Sequence, residues 1–580
     1  MITPPELSEK VPLLIPQSRG FTDENKTGFW RFVRPCYENK TAPCSTACPA
    51  GEDISRIEML ASRGLFKQAW ETILQENPFP AVCGRVCFHP CENSCNRKEL
   101  DQAVSINRLE RFLADTAFQD GSVPALTNLP PNGKSIAVIG AGPAGLSAAW
   151  FLSRLGYTCD VYEATSSPGG LLRWGIPGYR LPEGVLNNEI QRIRNQGVNI
   201  ICNQPITRKF LTESKEKYDA FFIGCGHGRS LMMNIPGEDM AVDGMAFLSD
   251  IRNGSAQSVH GEVAVIGGGN SAIDVARSLI RLGARPVLIY RRRKQDMPAF
   301  DHEIEMAVKE GVQIQELLSP VHIESLRDDF VLTLQKMKIS DTDTDGRARV
   351  IPAQEKSRTM RFKKIFSAIG SEVQEPWRFP PRKHDKSLLH LSHCIIHHQD
   401  LPIVYGGDLT NEVKSVTDAV ASGKQAAMAL DILFKDGRDV IEDKLATCRI
   451  GNSASLSMEI YLGGDRKLRT PHVVTYNEIN PDYFTPSARA DHPRLPIKDG
   501  IKSFEETDHT LPLPVALQEA QRCFNCGICN DCDNCRIFCP EVAVTVGKNG
   551  RSINMDYCKG CGICVEECPR NAMVIEEENL

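Results

Sequence analysis

The sequence predicts a multidomain α/β protein, and three observations support that fold class. The chain has 580 residues, enough for several domains. Two apolar stretches, beginning at Ile136 and Val263, are each followed by a glycine-rich turn and a helical pattern. The 22 cysteines are concentrated at the two ends, with seven before residue 96 and ten after residue 522. We therefore expect two nucleotide-binding domains of Rossmann type between two cysteine-rich regions, of which the N-terminal one is helical.

Composition narrows the functional classes. Charged residues make up 24% and hydrophobic residues 41% of the chain, and the net charge is −6, which gives no case for nucleic-acid binding. Clustered cysteines in a chain of this size indicate metal ligation in a reducing compartment rather than disulfides. The first residues show no secretion signal and no apolar run approaches 18 residues, so we expect no membrane span and a cytoplasmic location.

The C-terminal cysteines follow the spacing C-x₂-C-x₂-C-x₃-C-P twice. This spacing predicts two [4Fe–4S] clusters, with the fourth cysteine of each run binding the other cluster. One predicted set is Cys529, Cys532, Cys535 and Cys568, and the other is Cys558, Cys561, Cys564 and Cys539. A structural zinc site needs only four ligands and does not favour this doublet. Cys523 and Cys526 offer an alternative register, which lacks the complete run. The tail resembles a bacterial two-cluster ferredoxin.

The first glycine-rich turn predicts a dinucleotide site. Its glycines allow a tight turn and a close approach of the backbone to a pyrophosphate at the helix N-terminus. An acidic residue suited to the ribose follows about 20 residues later. The next segment is also glycine-rich and resembles the part of two-dinucleotide flavoproteins that passes along FAD, so we expect FAD here. The predicted contacts are Gly140, Gly142, Pro143, Ala144, Gly145, Glu163, Gly170, Leu171 and Arg173.

The second glycine-rich turn contains Gly267, Gly269, Asn270 and Ser271, with Ala272 in place of the third glycine. Where an NAD enzyme carries a carboxylate for the 2′-hydroxyl, the following strand ends in three arginines. Arg291 and Arg292 are therefore predicted to bind a 2′-phosphate, which favours NADPH over NADH. A solvated basic turn is the alternative.

A third segment, with Gly407, Asp408 and Thr417, resembles the C-terminal FAD segment of the same flavoproteins. The FAD domain is then split, with the NADPH domain inserted between its halves. Four nearby histidines alternate with apolar residues, which predicts a strand pair rather than a metal site; they are His390, His393, His397 and His398.

The N-terminal cysteines have the spacing C-x₇-C-x₃-C-P followed by C-x₃-C-x₃-C-x₃-C, beginning at Cys36 and Cys83. Together with Asn77-Pro-Phe-Pro, Met297-Pro-Ala and both nucleotide motifs, they resemble the glutamate synthase small-subunit family over about residues 36–435. The front half of dihydropyrimidine dehydrogenase shares this resemblance.

The resemblance implies two N-terminal [4Fe–4S] clusters. Cys36, Cys44 and Cys95 would bind one; Cys48, Cys87 and Cys91 would bind the other, with Glu110 near the place where relatives can carry a Gln or Glu ligand. The chain departs from the family, because relatives have two cysteines ahead of the position of Cys44. Here only Cys36 stands there, and Cys83 is a candidate to complete the first set, so one or two clusters are expected.

The predicted domains are 1–130 (helical iron–sulfur domain), 134–250 (FAD domain, first part), 258–385 (NADPH domain), 386–438 (FAD domain, second part), 439–515 (connector and candidate partner contact) and 516–580 (ferredoxin domain). These parts predict an NAD(P)H:acceptor oxidoreductase. Hydride passes from NADPH to FAD, and single electrons pass through clusters to or from a protein partner, either a ferredoxin or a redox enzyme such as sulfite reductase. No catalytic acid or base is predicted.

Alternative functions remain open from the sequence. The chain could be an electron-relay and docking subunit without turnover of its own, or a glutamate synthase small subunit. Relatives with a C-terminal ferredoxin extension include the iron–sulfur flavoprotein of the dissimilatory sulfite reductase system. A disulfide reductase is not favoured, because residues 135–435 contain no C-x₂-C or C-x₄-C pair.

Overall fold

The computed structural model describes residues 26–342, 348–378, 387–398, 400–547 and 550–578. The chain divides into two compact units. Unit 1 takes its residues from Met1–Thr127, Met428–Asp491 and Thr510–Leu580, and so contains both cysteine-rich ends. Unit 2 consists of Asn128–Ala427 and His492–His509 and contains both glycine-rich turns. Within the described residues, no helix combines the length and the apolar character needed to cross a membrane.

The strands are β1 (Val33–Tyr37), β2 (Ser135–Ile139), β3 (Thr158–Tyr162), β4 (Asn199–Ile201), β5 (Ala220–Ile223), β6 (Arg229–Ser230), β7 (Val242–Asp243), β8 (Gly261–Ile266), β9 (Ala284–Ile289), β10 (Gln313–Gln315), β11 (Leu318–Leu326), β12 (Asp329–Thr342), β13 (Ala348–Pro352), β14 (Arg358–Phe362), β15 (Lys364–Ser367), β16 (Ser371–Glu372), β17 (Leu388–His390), β18 (Cys394–His397), β19 (Ile403–Gly406), β20 (Val544–Gly547), β21 (Gly550–Ile553) and β22 (Met573–Glu577).

The helices are α1 (Pro43–Ala47), α2 (Ile54–Ser62), α3 (Phe66–Glu76), α4 (Pro80–Val86), α5 (Pro90–Asn93), α6 (Ile106–Gln119), α7 (Pro143–Arg154), α8 (Leu171–Trp174), α9 (Glu183–Asn195), α10 (Arg208–Glu213), α11 (Gly244–Arg252), α12 (Asn270–Arg281), α13 (Asp301–Glu310), α14 (Val416–Asp436), α15 (Ile441–Ala446), α16 (Met458–Tyr461), α17 (Ile497–Gly500), α18 (Leu513–Gln521), α19 (Asn534–Ile537) and α20 (Ile563–Glu566).

The first sheet of unit 2 has seven strands in the order β17-β18-β19-β5-β2-β3-β4. The segment from β19 to β4 is parallel, whereas β17 and β18 pair antiparallel at one edge. Strands β2 and β5 are buried on both faces, as their unbroken apolar sequences predict. In the sequence, strands β2 to β5 of this sheet precede the second nucleotide motif, and strands β17 to β19 follow it. His390 and His397 lie on the antiparallel pair β17–β18, the strand pair expected for the histidines.

The second sheet of unit 2 is parallel, with the order β10-β9-β8-β15-β7. Its helix α12 packs a continuous row of buried apolar residues against the sheet. A separate antiparallel sheet combines β11, β12, β13 and β14. With one mostly parallel and one fully parallel sheet, a helical N-terminal region and two C-terminal cysteine motifs, the predicted multidomain α/β fold class is confirmed.

A buried ion network joins α12 to α13. Glu310 accepts hydrogen bonds from Arg277 at 2.7 Å and 3.0 Å and from Arg281 at 2.8 Å and 3.0 Å. Burial raises the pKa of Glu310, but the hydrogen bonds from the two guanidinium groups outweigh it and lower the pKa below the ordinary value. By contrast, Glu305 and Lys309 on the same helix form an exposed pair at 3.6 Å.

Unit 1 consists of the helices α1 to α6, the C-terminal cysteine region and part of the sequence between α14 and α18. The amphipathic helices α2, α3 and α6 pack against one another, as predicted for the N-terminal region. The residues of the expected connector belong partly to this unit. There, Arg469 bonds the buried Asp53 bidentately, and Glu76 accepts from the backbone N–H of Met458 at 2.8 Å.

The two ends of unit 1 pair with each other. Strand β1 is antiparallel to β22, with Cys36 opposite Val574 and Tyr37 opposite Met573. Arg31 reinforces the pairing, because it forms an ion pair with Glu578 and donates to the carbonyl of Cys558 at 2.9 Å. The first described strand of the chain is therefore an integral part of the C-terminal cysteine domain.

Candidate cofactor sites

The first glycine-rich turn connects β2 to α7. Gly140 has φ +103°, and a Cβ at this position would lie 2.7 Å from the carbonyl oxygen of Gly224. A Cβ at Gly145 would lie 1.9 Å from the oxygen of Gly140, so only glycine lets α7 pack this closely on the turn. A Cβ at Gly142 would lie 4.0 Å from Cα of Gly170, and Pro143 begins α7, whose N-terminus is suited to a pyrophosphate.

Glu163 follows β3 and holds the turn in place. Its Oε2 accepts a hydrogen bond from the backbone N–H of Ala141 at 3.0 Å. Its Oε1 accepts from the backbone N–H and hydroxyl of Thr165 at 2.9 Å and 2.8 Å. The carboxylate thus lies beside the turn, where the sequence predicted a ribose ligand, and it also orders the loop that would receive the dinucleotide.

The following glycine-rich segment approaches the same turn. Gly170 has φ +52°, and a Cβ there would lie 2.9 Å from Cα of Gly142. Leu171 begins α8 and is partly exposed. Arg173 is buried and donates to the carbonyl of Pro168 at 2.6 Å and to Glu183 at 2.8 Å. In this structure its guanidinium therefore holds the glycine-rich loop before α8 in place.

The third predicted segment joins the first in space. A Cβ at Gly407 would lie 2.8 Å from Cβ of Ala144, near the start of α7. Asp408 follows, and burial raises the pKa of its carboxyl group. Thr417 is buried in the first turn of α14. The structure therefore brings the two halves of the predicted FAD site together, and the glycine cradle fits a dinucleotide.

The second glycine-rich turn connects β8 to α12. Gly267 has φ +147°, whereas a Cβ at Gly269 would meet nothing within 4 Å, which leaves room for a phosphate group. Asn270 and Ser271 begin α12, and the amide oxygen of Asn270 accepts from the backbone N–H of Phe300 at 3.0 Å. This turn has the shape that a second dinucleotide requires.

Three arginines follow β9 but differ in their surroundings. Arg293 is engaged by Asp296, with Nε–Oδ2 and Nη2–Oδ1 distances of 2.8 Å and 2.9 Å. Arg292 is buried, and Arg291 is exposed. The hydrogen bond from Arg293 is the largest cause of the lowered pKa of Asp296, and the charge of Arg292 also contributes.

The C-terminal cysteines form two groups, each lining its own cavity. Cys529, Cys532, Cys535 and Cys568 line the first. Cys558, Cys561, Cys564 and Cys539 line the second. These are the two sets that the sequence predicted. Four soft thiolates around one cavity fit a [4Fe–4S] cluster. Burial, followed by the charges of neighbouring cysteines, raises the pKa of the Cys564 thiol to about 12.

Tyr37 is a residue at these sites that the sequence did not predict. Its hydroxyl lies 3.2 Å from Sγ of Cys535, because β1 pairs with β22 beside the first cavity. A hydrogen bond to a cluster thiolate is one means by which a protein tunes the reduction potential. No local motif marks Tyr37, since the contact depends on the pairing of the two ends of the chain.

The predicted second N-terminal set comes together in the structure. After burial, the charges of Cys87 and Glu110 contribute to the raised pKa of Cys48, and the charges of Cys48 and Cys87 contribute to the raised pKa of Cys91. Burial is the largest cause of the raised pKa of both thiols. Cys83 also lies near this set, because the charges of Glu110 and Cys87 add to the effect of burial and raise the pKa of Cys83 further.

The predicted first N-terminal set comes together only in part. Cys44 and Cys95 are buried neighbours, and burial followed by the charge of Cys95 raises the pKa of Cys44. Cys36 instead lies on β1, where its thiol donates to Glu576 at 3.2 Å. The expected trio of Cys36, Cys44 and Cys95 is not formed in this structure, because the extended segment containing Cys36 pairs with β22.

Two cysteines outside the predicted sets lie beside Cys44 and Cys95. Cys523 and Cys526 are on the loop after α18, and their charges contribute to the raised pKa of Cys44 after burial and Cys95. The sequence signal for them was the C-x₂-C spacing just before the first ferredoxin run. Among the described residues, no group of three or more His, Cys, Asp or Glu side chains is arranged to hold a single metal ion.

Comparison with known proteins matches these regions to described domains. Residues 30–122 match dihydropyrimidine dehydrogenase domain II with its 4Fe-4S cluster. Residues 134–344 match the pyridine nucleotide-disulphide oxidoreductase family, and residues 551–574 match a 4Fe-4S binding domain. FAD, a nicotinamide dinucleotide and [4Fe–4S] clusters are consistent with these matches.

Relatives that match between 57% and 84% of the chain define the class. The NADP(+)-dependent formate dehydrogenase subunit beta of Moorella thermoacetica is 31% identical over 519 residues, 84% of this chain and 70% of that protein. The NAD-dependent dihydropyrimidine dehydrogenase subunit PreT of Salmonella typhimurium is 33% identical, over 67% of this chain and 90% of the relative. The NADPH-Fe(3+) oxidoreductase subunit beta of Geobacter sulfurreducens is 35% identical, and the chain spans only 51% of its length. The chain belongs to this family of NAD(P)H-dependent iron–sulfur flavoprotein oxidoreductases.

Proposed function

We propose that the protein exchanges electrons between NADPH and a protein partner through FAD and [4Fe–4S] clusters, two in the C-terminal domain and one or two in the N-terminal domain. The observation that carries the proposal is the coexistence of two glycine cradles in unit 2 with groups of cysteines around two cavities in unit 1. Bound FAD supplies the exchange between a two-electron hydride and single electrons. The chain's own residues bind and orient the cofactors, and no side chain is required as a general acid or base.

The cofactor domains are proposed as a split FAD domain, 134–250 and 386–438, around an NADPH domain at 258–385. The pairing of β19 with β5 supports the split, because it inserts a late strand into the first sheet. The approach of Gly407 to Ala144 supports it independently. The FAD-binding residues are those of the first and third segments described above.

NADPH is the proposed nucleotide. Relatives include proteins named for NADP and a protein named for NAD, so the family alone does not decide between them. Arg291 and Arg292 support NADPH, since they follow the strand end at which the 2′-position of the ribose is read. Guanidinium groups bind a phosphate well and offer no acceptor to a free 2′-hydroxyl.

The proposed partner is a protein that carries one electron at a time. It is either a ferredoxin or an iron–sulfur subunit of a larger redox enzyme, of which sulfite reductase is one example. Two relatives carry the name of a subunit beta, which supports a partner protein. The two-cluster C-terminal domain favours such a partner over a glutamate synthase large subunit, because it adds one-electron carriers that lie outside the resemblance to the small-subunit family.

The test is anaerobic reduction of the purified holoprotein. NADPH should bleach the bound flavin and then drive turnover of a one-electron acceptor dye of high potential, such as ferricyanide, without any partner, and NADH should do so more slowly. Dye turnover would exclude a pure docking subunit. If neither nucleotide reduces the flavin in protein that contains FAD and iron, the proposed function is wrong.

A further inference from the structure

The loop after α18 is attached at its first end to the region of Cys95. Arg522 donates to Asp101 at 2.9 Å and to the carbonyl of Gln102 at 2.6 Å. Arg97, two residues after Cys95, donates to the carbonyl of Arg522 at 3.0 Å. These contacts fix the backbone immediately before Cys523 against the segment that carries Cys95.

The other end of the loop is attached near Cys44. The backbone N–H of Lys40 donates to the carbonyl of Gly527 at 2.7 Å. Gly527 has φ +75°, and a Cβ there would lie 2.9 Å from the Lys40 backbone, so the approach is close. Between the two ends, Asn525 donates to the carbonyl of Ser55 at 3.1 Å. The loop is thus held on both sides of its two cysteines.

Cys526 and Cys95 share a direct neighbour. Asn96, the residue after Cys95, places its amide nitrogen 3.5 Å from Sγ of Cys526. Burial first, and then the charges of nearby groups that include Cys526 and Cys95, raises the pKa of Cys523. Four thiols collected in this way would repel one another as thiolates, and a bound cationic iron core relieves the repulsion.

We propose that Cys44, Cys95, Cys523 and Cys526 bind one [4Fe–4S] cluster, with two ligands from each end of the chain. This set has the four thiolates that a cubane requires. It also accounts for the departure from the family pattern, because a C-x₂-C pair far away in the sequence takes the place of the two cysteines that relatives carry ahead of the position of Cys44. Cys36 lies on β1, where its thiol donates a hydrogen bond to Glu576, and it is not a ligand of this cluster.

The proposed cluster occupies a middle position among the four sets in unit 1. On one side, Cys44 and Cys95 are each four residues away in the sequence from Cys48 and Cys91 of the second N-terminal set. On the other side, the backbone N–H of Gly527 donates to the carbonyl of Arg570, two residues after Cys568, at 2.8 Å. The inference rests on the proposed electron-transfer function and deepens it: this cluster would pass single electrons between the N-terminal domain and the ferredoxin domain.

The test is a comparison of Cys523→Ala, Cys526→Ala and Cys36→Ala in the full chain, purified without oxygen. Iron, acid-labile sulfide and FAD are counted per chain, and clusters are counted by electron paramagnetic resonance after reduction with dithionite. The first two variants should each lose about four irons and four sulfides. Cys36→Ala should match the wild type, and FAD should be unchanged in all three, because both FAD half-sites lie in unit 2.

Two results would overturn the proposal: Cys36→Ala losing about four irons, or both loop variants retaining the wild-type iron and cluster signals. If the loop variants do not accumulate, Cys36→Ala decides alone, since a full iron content there supports the proposal and a four-iron loss contradicts it. Dithionite reduces clusters without NADPH, so failure of this ligand assignment is distinguishable from failure of the proposed nucleotide chemistry.

Discussion

Replacing Gly423 with alanine should disturb the packing of α14 against α7, which holds the two halves of the FAD site together. Gly423 lies on α14 against α7, the helix that begins at the first glycine-rich turn. An added Cβ would lie 2.4 Å from the carbonyl oxygen of Ala144 and 2.5 Å from the backbone nitrogen of Ala148. Both neighbours are backbone atoms, so no side-chain rotation can relieve the overlap. The helices must separate by at least about 0.6 Å to reach a 3.0 Å contact.

The expected free-energy change of Gly423→Ala is the difference between two opposing effects. Alanine favours a helix over glycine by about 0.5–1 kcal/mol. Overpacking of a tight contact costs about 1–3 kcal/mol, and more when the backbone must move. Overpacking therefore dominates, and a net loss of about 1.5 kcal/mol at the cofactor site weakens FAD binding by about tenfold. The same substitution at Gly184 on α9 meets nothing within 4 Å, so it should be neutral or slightly stabilising.

The assay is fluorescence of released FAD during dilution and during urea titration. Gly423→Ala should release FAD at lower urea and bind it about tenfold more weakly, whereas Gly184→Ala should match or exceed the wild type. Equal FAD affinity in wild type and Gly423→Ala would refute the reasoning, since the helices would then have absorbed the methyl group without disturbing the site.

Three further predictions follow from individual side chains. Arg291→Ala should raise KM for NADPH about tenfold with little change for NADH, in steady-state dye reduction, and equal effects on both would contradict the 2′-phosphate assignment. Glu310→Gln should destabilise the NADPH domain by about 3 kcal/mol in urea unfolding, against less than about 0.5 for Glu305→Gln. Because the folded-state pKa of Glu310 is lowered, its contribution is present above the ordinary glutamate pKa and is lost as pH falls through the lowered value, so wild type and Glu310→Gln should converge only in acid. Glu110→Ala should remove about four irons per chain by elemental analysis, whereas Cys83→Ala should not; the reverse pattern would transfer the ligand role to Cys83.

Features encoded in consecutive residues could be predicted without coordinates. The two glycine-rich turns, the strand before each and the helix after each follow from local backbone geometry and apolar pattern, and β2, α7, β8 and α12 lie where that pattern indicates. The grouping of the C-terminal cysteines follows from the same kind of local rule, because short fixed spacings wrap the chain around one centre. The fold class was therefore available from the sequence.

Contacts between distant segments required the tertiary structure. Nothing in the sequence near Cys36 indicates that β1 pairs with β22, which takes Cys36 to Glu576 and Tyr37 to Cys535. Likewise, only the folded chain shows that the loop carrying Cys523 lies beside Cys44. The spacing of neighbouring cysteines is set by a few backbone dihedrals, so sequence by itself determined the local motifs. The meeting of segments more than 400 residues apart depends on how whole surfaces pack and pair, and only the tertiary structure decided which cysteines stand together in the N-terminal domain.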